Sequence, residues 1–149
     1  MKKQLEQKLY KKYPSIFVQR TLPMSESAMG WGCQCGDSWF SIIDDLCEKV
    51  MKVAPTIQFT TVKEKYGTLR VYTNLDGRDK VEQLLSDAEK KSAITCEQCG
   101  KPGKTVQIHG WYSTVCLMHE KQLEKKWKGF DTDPLIPAGD RQKVKKNLI

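Results

Sequence analysis

From Trp39 onward, the apolar positions Trp39, Phe40, Ile43, Leu46, Cys47, Val50 and Val53 recur at three-and-four spacing up to Pro55. That is the period of an amphipathic helix, so a helix is predicted from an N-cap at Asp37 or Ser38 to the proline that stops it. A narrower stripe, Leu5 and Leu9, predicts a strongly basic helix over residues 2–12, closed at Tyr13-Pro14 because proline disfavours helical backbone in the residue before it. Val81, Leu84, Leu85 and Ala88 predict a further helix from Asp79 to Ala93, approached through the turn signal Asn74-Leu75-Asp76-Gly77. Two β-branched and aromatic runs, Ile57 to Val62 and Thr68 to Tyr72, flank Lys63-Glu64-Lys65-Tyr66-Gly67 and predict an antiparallel pair, to which the pattern adds no visible third strand. Ser15 to Gly36 contains Pro23, Gly30, Gly32 and Gly36 and reads as loop, with Ile16-Phe17-Val18 docking on the core.

Beyond Ala93 the pattern changes. Lys104 to His109 and Trp111 to Val115 are β-prone and turn at Gly110, and Glu120 to Lys128 continues as a helix with Leu123 and Trp127 on one face. From Phe130, Pro134, Pro137 and Gly139 predict an extended tail. The fold class is therefore α+β. A small helix–β-hairpin–helix body with a basic N-terminal helix occupies residues 1–95, a second module residues 96–129, stacked on the helix from Asp79 to Ala93, and a basic tail residues 130–149.

Cysteine spacing gives the second module its chemistry. Cys96-Glu97-Gln98-Cys99 and Cys116-Leu117-Met118-His119 form a C-x2-C and a C-x2-H pair separated by 16 residues. Each short pair wraps one edge of an ion and the gap fits a hairpin, so Cys96, Cys99, Cys116 and His119 are the expected ligands of a closed tetrahedral Zn2+ site. Knuckle, hairpin and then a helix opening with the last ligands is the order of a treble-clef zinc finger. Four protein ligands leave no open coordination position, so this zinc is structural and takes over part of a core that so small a module cannot build. Cys33, Cys35 and Cys47 read as buried thiols, although with His109 they would make a cramped second donor set. The glycines around Trp31 and Cys35 point to a tight approach of that loop to the core.

The chain has 149 residues, 39% of them hydrophobic and 29% charged, which is the composition of a folded globular protein. No uncharged apolar run approaches about 18 residues, and the lysine-rich start lacks the apolar segment of a secretory signal, so a cytoplasmic protein with no membrane partner is expected. The net charge of +7 is concentrated at the ends: residues 1–20 carry six basic and one acidic side chain, and residues 120–149 eight and five. Such basic ends suit nucleic acid or an acidic protein surface, and equally plain solubility. The alternation of basic and aromatic residues from Lys63 to Tyr72 can present Lys63, Lys65, Tyr66 and Arg70 to phosphates and bases, and Lys2, Lys3, Lys11 and Lys12 extend the candidate surface. The competing reading is a meander with its aromatics in the core and its charges in water.

Catalytic chemistry finds little support. Gly103-Lys104-Thr105 resembles the end of a phosphate-binding loop, but the required first glycine is Gln98. A nuclease built on a zinc-finger-like hairpin needs a base and side chains for a divalent ion; His109 supplies the base, but no Asp, Asn or Glu lies between Gly100 and His119. Asp44, Asp45 and Glu48 share a helix face with Lys49 and Lys52 nearby and read as a solvated, ion-paired surface. No catalytic residue is assigned.

Tyr13-Pro14-Ser15-Ile16-Phe17, Cys35-Gly36-Asp37-Ser38-Trp39-Phe40, Lys63-Glu64-Lys65-Tyr66-Gly67-Thr68-Leu69-Arg70-Val71-Tyr72, and Cys96-Glu97-Gln98-Cys99-Gly100-Lys101-Pro102-Gly103 with Gly110-Trp111 and Cys116 together resemble a type of uncharacterised small protein found in bacteriophages and prophages. The resemblance covers about residues 13–119 and implies a host-cell cytoplasmic setting and action by binding, without supplying catalytic residues. The expectation is a zinc-stabilised accessory protein that binds nucleic acid or a nucleoprotein. The alternatives are an inhibitor that binds a nucleic-acid-binding host protein, such as a defence complex, and, more weakly, the nuclease.

Overall fold

A computed structural model describes residues 1–75 and 77–131, with side chains up to Trp127. The basic tail anticipated from Phe130 lies almost wholly outside them. In chain order the elements are α1 (Lys3–Lys12), β1 (Cys33–Gln34), α2 (Phe40–Val53), β2 (Phe59–Lys65), β3 (Thr68–Thr73), α3 (Asp79–Ser92), β4 (Lys104–Ile108), β5 (Trp111–Val115) and α4 (Leu117–Asp131), an α+β arrangement. None of the described helices is long and apolar enough to cross a membrane.

The body is a three-stranded sheet in the order β1-β2-β3, with α2 and α3 packed together beside it. β2 and β3 pair antiparallel from Phe59↔Thr73 to Lys65↔Thr68, with a bulge between Phe59 and Thr61. Lys63, Glu64 and Lys65 thus belong to the strand, where the sequence pattern suggested a connecting loop, and the turn shrinks to Tyr66-Gly67. Both turn residues have positive φ, 54° and 81°, the type I′ geometry whose twist matches that of the flanking strands.

The strand missing from the pattern is β1, which runs parallel to β2 with Cys33 opposite Val62 and Gln34 opposite Lys63. Two residues cannot show an alternation, so only tertiary pairing defines it. The supposed loop between Ser15 and Gly36 is also more ordered than its glycines and proline suggest. It forms 3-10 turns at Val18–Thr21 and Ala28–Trp31, the latter opened by Ser27 Oγ accepting from the Met29 N–H. Ile16 docks as expected, its carbonyl accepting from the Phe59 N–H at 2.8 Å.

Trp39, Phe17, Phe59, Leu9, Ile43, Leu46, Val62 and Leu69 are almost fully withdrawn from water in one cluster, with Phe17 edge-on to Phe59 at 5.5 Å. α1 joins this core through Leu9 and Tyr10, a wider apolar face than its Leu5 and Leu9 stripe promised. Asp37 does not cap α2. A 3-10 turn, Asp37–Trp39, leads into the helix, and the Asp37 carboxylate instead accepts the Lys2 N–H at 2.7 Å and pairs with the Lys2 ammonium at 3.2 Å. These contacts, the Lys2 N–H foremost, hold its carboxyl below the ordinary range.

Candidate metal centre

The knuckle begins where α3 ends. The Cys96 N–H donates to Lys101 O and the Gly100 N–H to Cys96 O, both at 2.8 Å, with Gly100 at φ 73°, so the chain doubles back and turns Cys96 and Cys99 toward one point. β4 and β5 then carry the chain out and back in the register Lys104↔Val115 to Ile108↔Trp111. Cys116 is delivered at the end of β5, and His119 lies in the first turn of α4, where the Glu120 N–H donates to Cys116 O.

The donor atoms of Cys96, Cys99, Cys116 and His119 all lie within 4.8 Å of one another. Cys99 Sγ is 3.8 Å from Cys116 Sγ, while His119 Nδ1 is 3.4 Å from Cys96 Sγ and 3.3 Å from Cys116 Sγ. A tetrahedral ion with metal–sulfur bonds of about 2.3 Å and metal–nitrogen bonds of about 2.0 Å requires sulfur–sulfur edges of about 3.8 Å and sulfur–nitrogen edges of about 3.5 Å. Those three edges match and the remaining pairs lie within 4.8 Å, which makes the cluster a candidate metal site. The Cys116 thiol is drawn down to about 6, first by the backbone N–H of His119 and then by the His119 ring and the neighbouring thiols.

The other cysteines behave differently. Cys33, Cys35 and Cys47 are buried; burial pushes Cys33 up to about 12 and the other two higher still, which keeps all three as neutral thiols. Among the described residues, no second group of metal-binding side chains forms around them. His109 sits instead at the tip of the β4–β5 hairpin with φ 49°, its ring 6.1 Å from that of Trp127.

α3 packs on α2 and β3. Beyond the junction at its end, where the Gly103 N–H donates to Ile94 O at 2.9 Å, hydrogen bonds fasten the module to the body at two further places. Glu97, between the first two ligands, accepts the Gly36 N–H at 2.7 Å, and Trp39 Nε1 donates to Thr95 O at 2.9 Å. A Cβ at Gly36 would lie 2.3 Å from the Glu97 carbonyl oxygen, so only glycine permits this approach. At the second place, Thr114 Oγ1 donates to Gly67 O in the β2–β3 turn and meets Thr105 Oγ1 at 2.7 Å. Burial raises the Glu97 carboxyl above its ordinary range despite the Gly36 N–H it accepts.

The residues predicted to bind nucleic acid separate into two sets. On the hairpin, Lys63 lies opposite Arg70, and Lys65 follows on the same face of β2, which also carries Tyr72 on β3. Lys65 and Tyr66 are exposed; Arg70 is drawn into an ion pair with Glu89 of α3 at 2.8 Å. On α1, Lys3 and Lys11 are exposed, whereas Lys2 pairs with Asp37 and Lys12 with Asp44 at 2.8 Å. Asp45 and Glu48 pair with Lys49 and Lys52 as expected, and Asp45 reaches Lys91 of α3 at 2.7 Å. Sequence reading missed Tyr112, which is 44% exposed beside Tyr66 with their ring centroids 6.1 Å apart. Its outward position on β5 between Trp111 and Ser113 was the available signal.

Compared with known proteins, the chain matches no family model, no curated protein and no solved structure.

Proposed function

We propose that the protein is a small, non-catalytic accessory protein of phage type that binds nucleic acid and is held in shape by a structural zinc ion. The carrying observation is the outer face of the β2–β3 hairpin, where Lys63, Lys65 and Arg70 stand together next to the metal module, with Tyr66 at the tip. Phosphate contacts supply most of the affinity of such a surface, and aromatic rings among the cations add contact with bases. Arg70, paired with Glu89, positions the face more than it adds free charge.

Zinc is the ion favoured by a Cys3His donor set with these edges, and four protein donors leave it no vacant position for substrate. The ion orders the hairpin and helix and takes no part in a reaction. Three thiolate ligands suit a reducing compartment, which supports a setting in the host cell's cytoplasm. Purified protein under reducing conditions should carry about one equivalent of zinc by elemental analysis.

The binding test is titration of the zinc-loaded protein with labelled single- and double-stranded DNA and RNA across a salt series. Affinity should fall steeply with salt, and Lys63→Ala and Lys65→Ala should each weaken binding and reduce the salt slope by about one ion. Absence of binding even at low salt would overturn the proposal and turn attention to a nucleic-acid-binding host protein as target, sought by capture from nuclease-treated lysate.

A further inference from the structure

The β2–β3 turn meets the strands of the β4–β5 hairpin, and a cleft of about 360 Å³ lies between the two hairpins, lined by Glu64, Lys65, Tyr66, Gly110, Trp111 and Tyr112. Its aromatic rings are unusually open to water. Tyr66 is 65% exposed and stands perpendicular to Tyr112 (89°), while Trp111 is only half-buried. A hydrophobic core gains nothing from rings held outside it, whereas a planar ligand gains a stacking partner.

The presentation of Tyr66 is enforced. A non-glycine residue at φ 54° is uncommon, and this one is fixed from both sides: the Gly67 N–H donates to the Glu64 carboxylate, and Gly67 O accepts from Thr114 of the metal module. A Cβ at Gly67 would come within 2.8 Å of Thr105 Cγ2, so the two hairpins are in close contact at this point. The cleft is therefore a composite, with one wall from the body and the other from the module.

Charge selects the ligand. Lys65 Nζ lies 5.5 Å from the centroid of the Tyr66 ring and is solvent-exposed, free to move off the ring and meet an anion. Aromatic rings around a carboxylate also make cages for quaternary ammonium groups. Here Lys65 opposes a cation, and the Glu64 carboxylate is already engaged by the Gly67 N–H. Rings for a base with an ammonium beside them for its phosphate describe a nucleotide in an unpaired strand, because the ring faces of a duplex are occupied by its own stacking.

We infer that this cleft binds single-stranded nucleic acid, with a base stacked on one of the perpendicular rings of Tyr66 and Tyr112 and bounded at its edge by the other, while Lys65 contacts the adjoining phosphate; the inference rests on the nucleic-acid reading above and specifies its substrate. The experiment compares a labelled oligothymidylate with a duplex of the same length at one low salt concentration, using zinc-loaded protein. Tyr66→Asn removes the ring with a residue that tolerates positive φ, and Tyr112→Thr removes the other with a residue suited to a strand. Circular dichroism and zinc content confirm that each variant is folded.

Each substitution should weaken single-strand binding about ten-fold or more, with less than a two-fold change for the duplex and no change in salt slope. Tyr66→Phe should retain binding. Unchanged single-strand affinity in both variants, or wild-type protein that prefers the duplex, would overturn the inference while leaving salt-dependent nucleic-acid binding intact. No binding to either probe would overturn both.

Discussion

In the body, Trp39, Phe17, Phe59, Ile43 and Leu46 pack in one cluster with more than a dozen other buried side chains. In the second module the corresponding cluster is Cys96, Val115 and Cys116, with Val106 and Leu123 half-covered, and two of the three buried members belong to the candidate metal cluster. One region is held by area withdrawn from water; in the proposed reading the other is held by a few bonds to an ion. In that reading a module of about three dozen residues can order its hairpin with only a small apolar interior, Ile108, Val115 and Trp127 among its buried side chains, because coordination would concentrate its stabilisation at one point. Such a module can then present its outward side chains without needing them for packing.

The most forceful way to break this comparison is to remove the ion. Chelation under reducing conditions should abolish hydrogen-exchange protection in β4 and β5 while leaving α2 protected, since folding and metal binding in such modules are coupled by about 10 kcal/mol or more. Equal loss in α2 would show a single cooperative unit. The reciprocal change, Trp39→Ala, opens a cavity in the body and deletes the bond to Thr95 O, and should cost about 3–5 kcal/mol in denaturant unfolding while zinc remains bound in the surviving folded fraction. Gly36→Ala tests the seam between the two regions. Its Cβ would collide with the backbone of Glu97, so a loss of about 1–3 kcal/mol should be accompanied by weaker metal retention against a competing chelator.

The smallest expected effect separates surface charge from both kinds of core. Lys49 first and then Lys91 hold the Asp45 carboxyl below its ordinary value of 3.8. A carboxyl depressed by folding contributes stability that is fully present above that value and is lost as pH falls through the lower, folded one. Because these groups are half-exposed, the loss should stay below about 1 kcal/mol, and Asp45→Asn should flatten the stability profile below pH 4.

Where a feature was local, the sequence revealed it. The spacing of Cys96, Cys99, Cys116 and His119 identified a cluster whose geometry suits a metal, and the stripe from Trp39 to Val53 identified α2, although its last member, Val53, is exposed. What escaped were features created by partners far apart in the chain. β1 exists only through its pairing with Val62 and Lys63, and Asp37 looked like a helix cap until the Lys2 N–H took its carboxylate. The two bolts of the module, Gly36 to Glu97 and Gly67 to Thr114, join residues 61 and 47 positions apart. No periodicity or spacing rule registers such pairs.

Glu97 occupies a peculiar position: its neighbour Cys96 belongs to the candidate metal cluster, its own N–H donates to Thr114 O, and its carboxylate receives the N–H of Gly36. The knuckle cannot swing open without first letting go of the body. An ion held by the cluster would accordingly leave at a rate set in part by an amide some sixty residues upstream, and metal exchange should slow or quicken with the fluctuations of that loop as well as with the chemistry of the four donors.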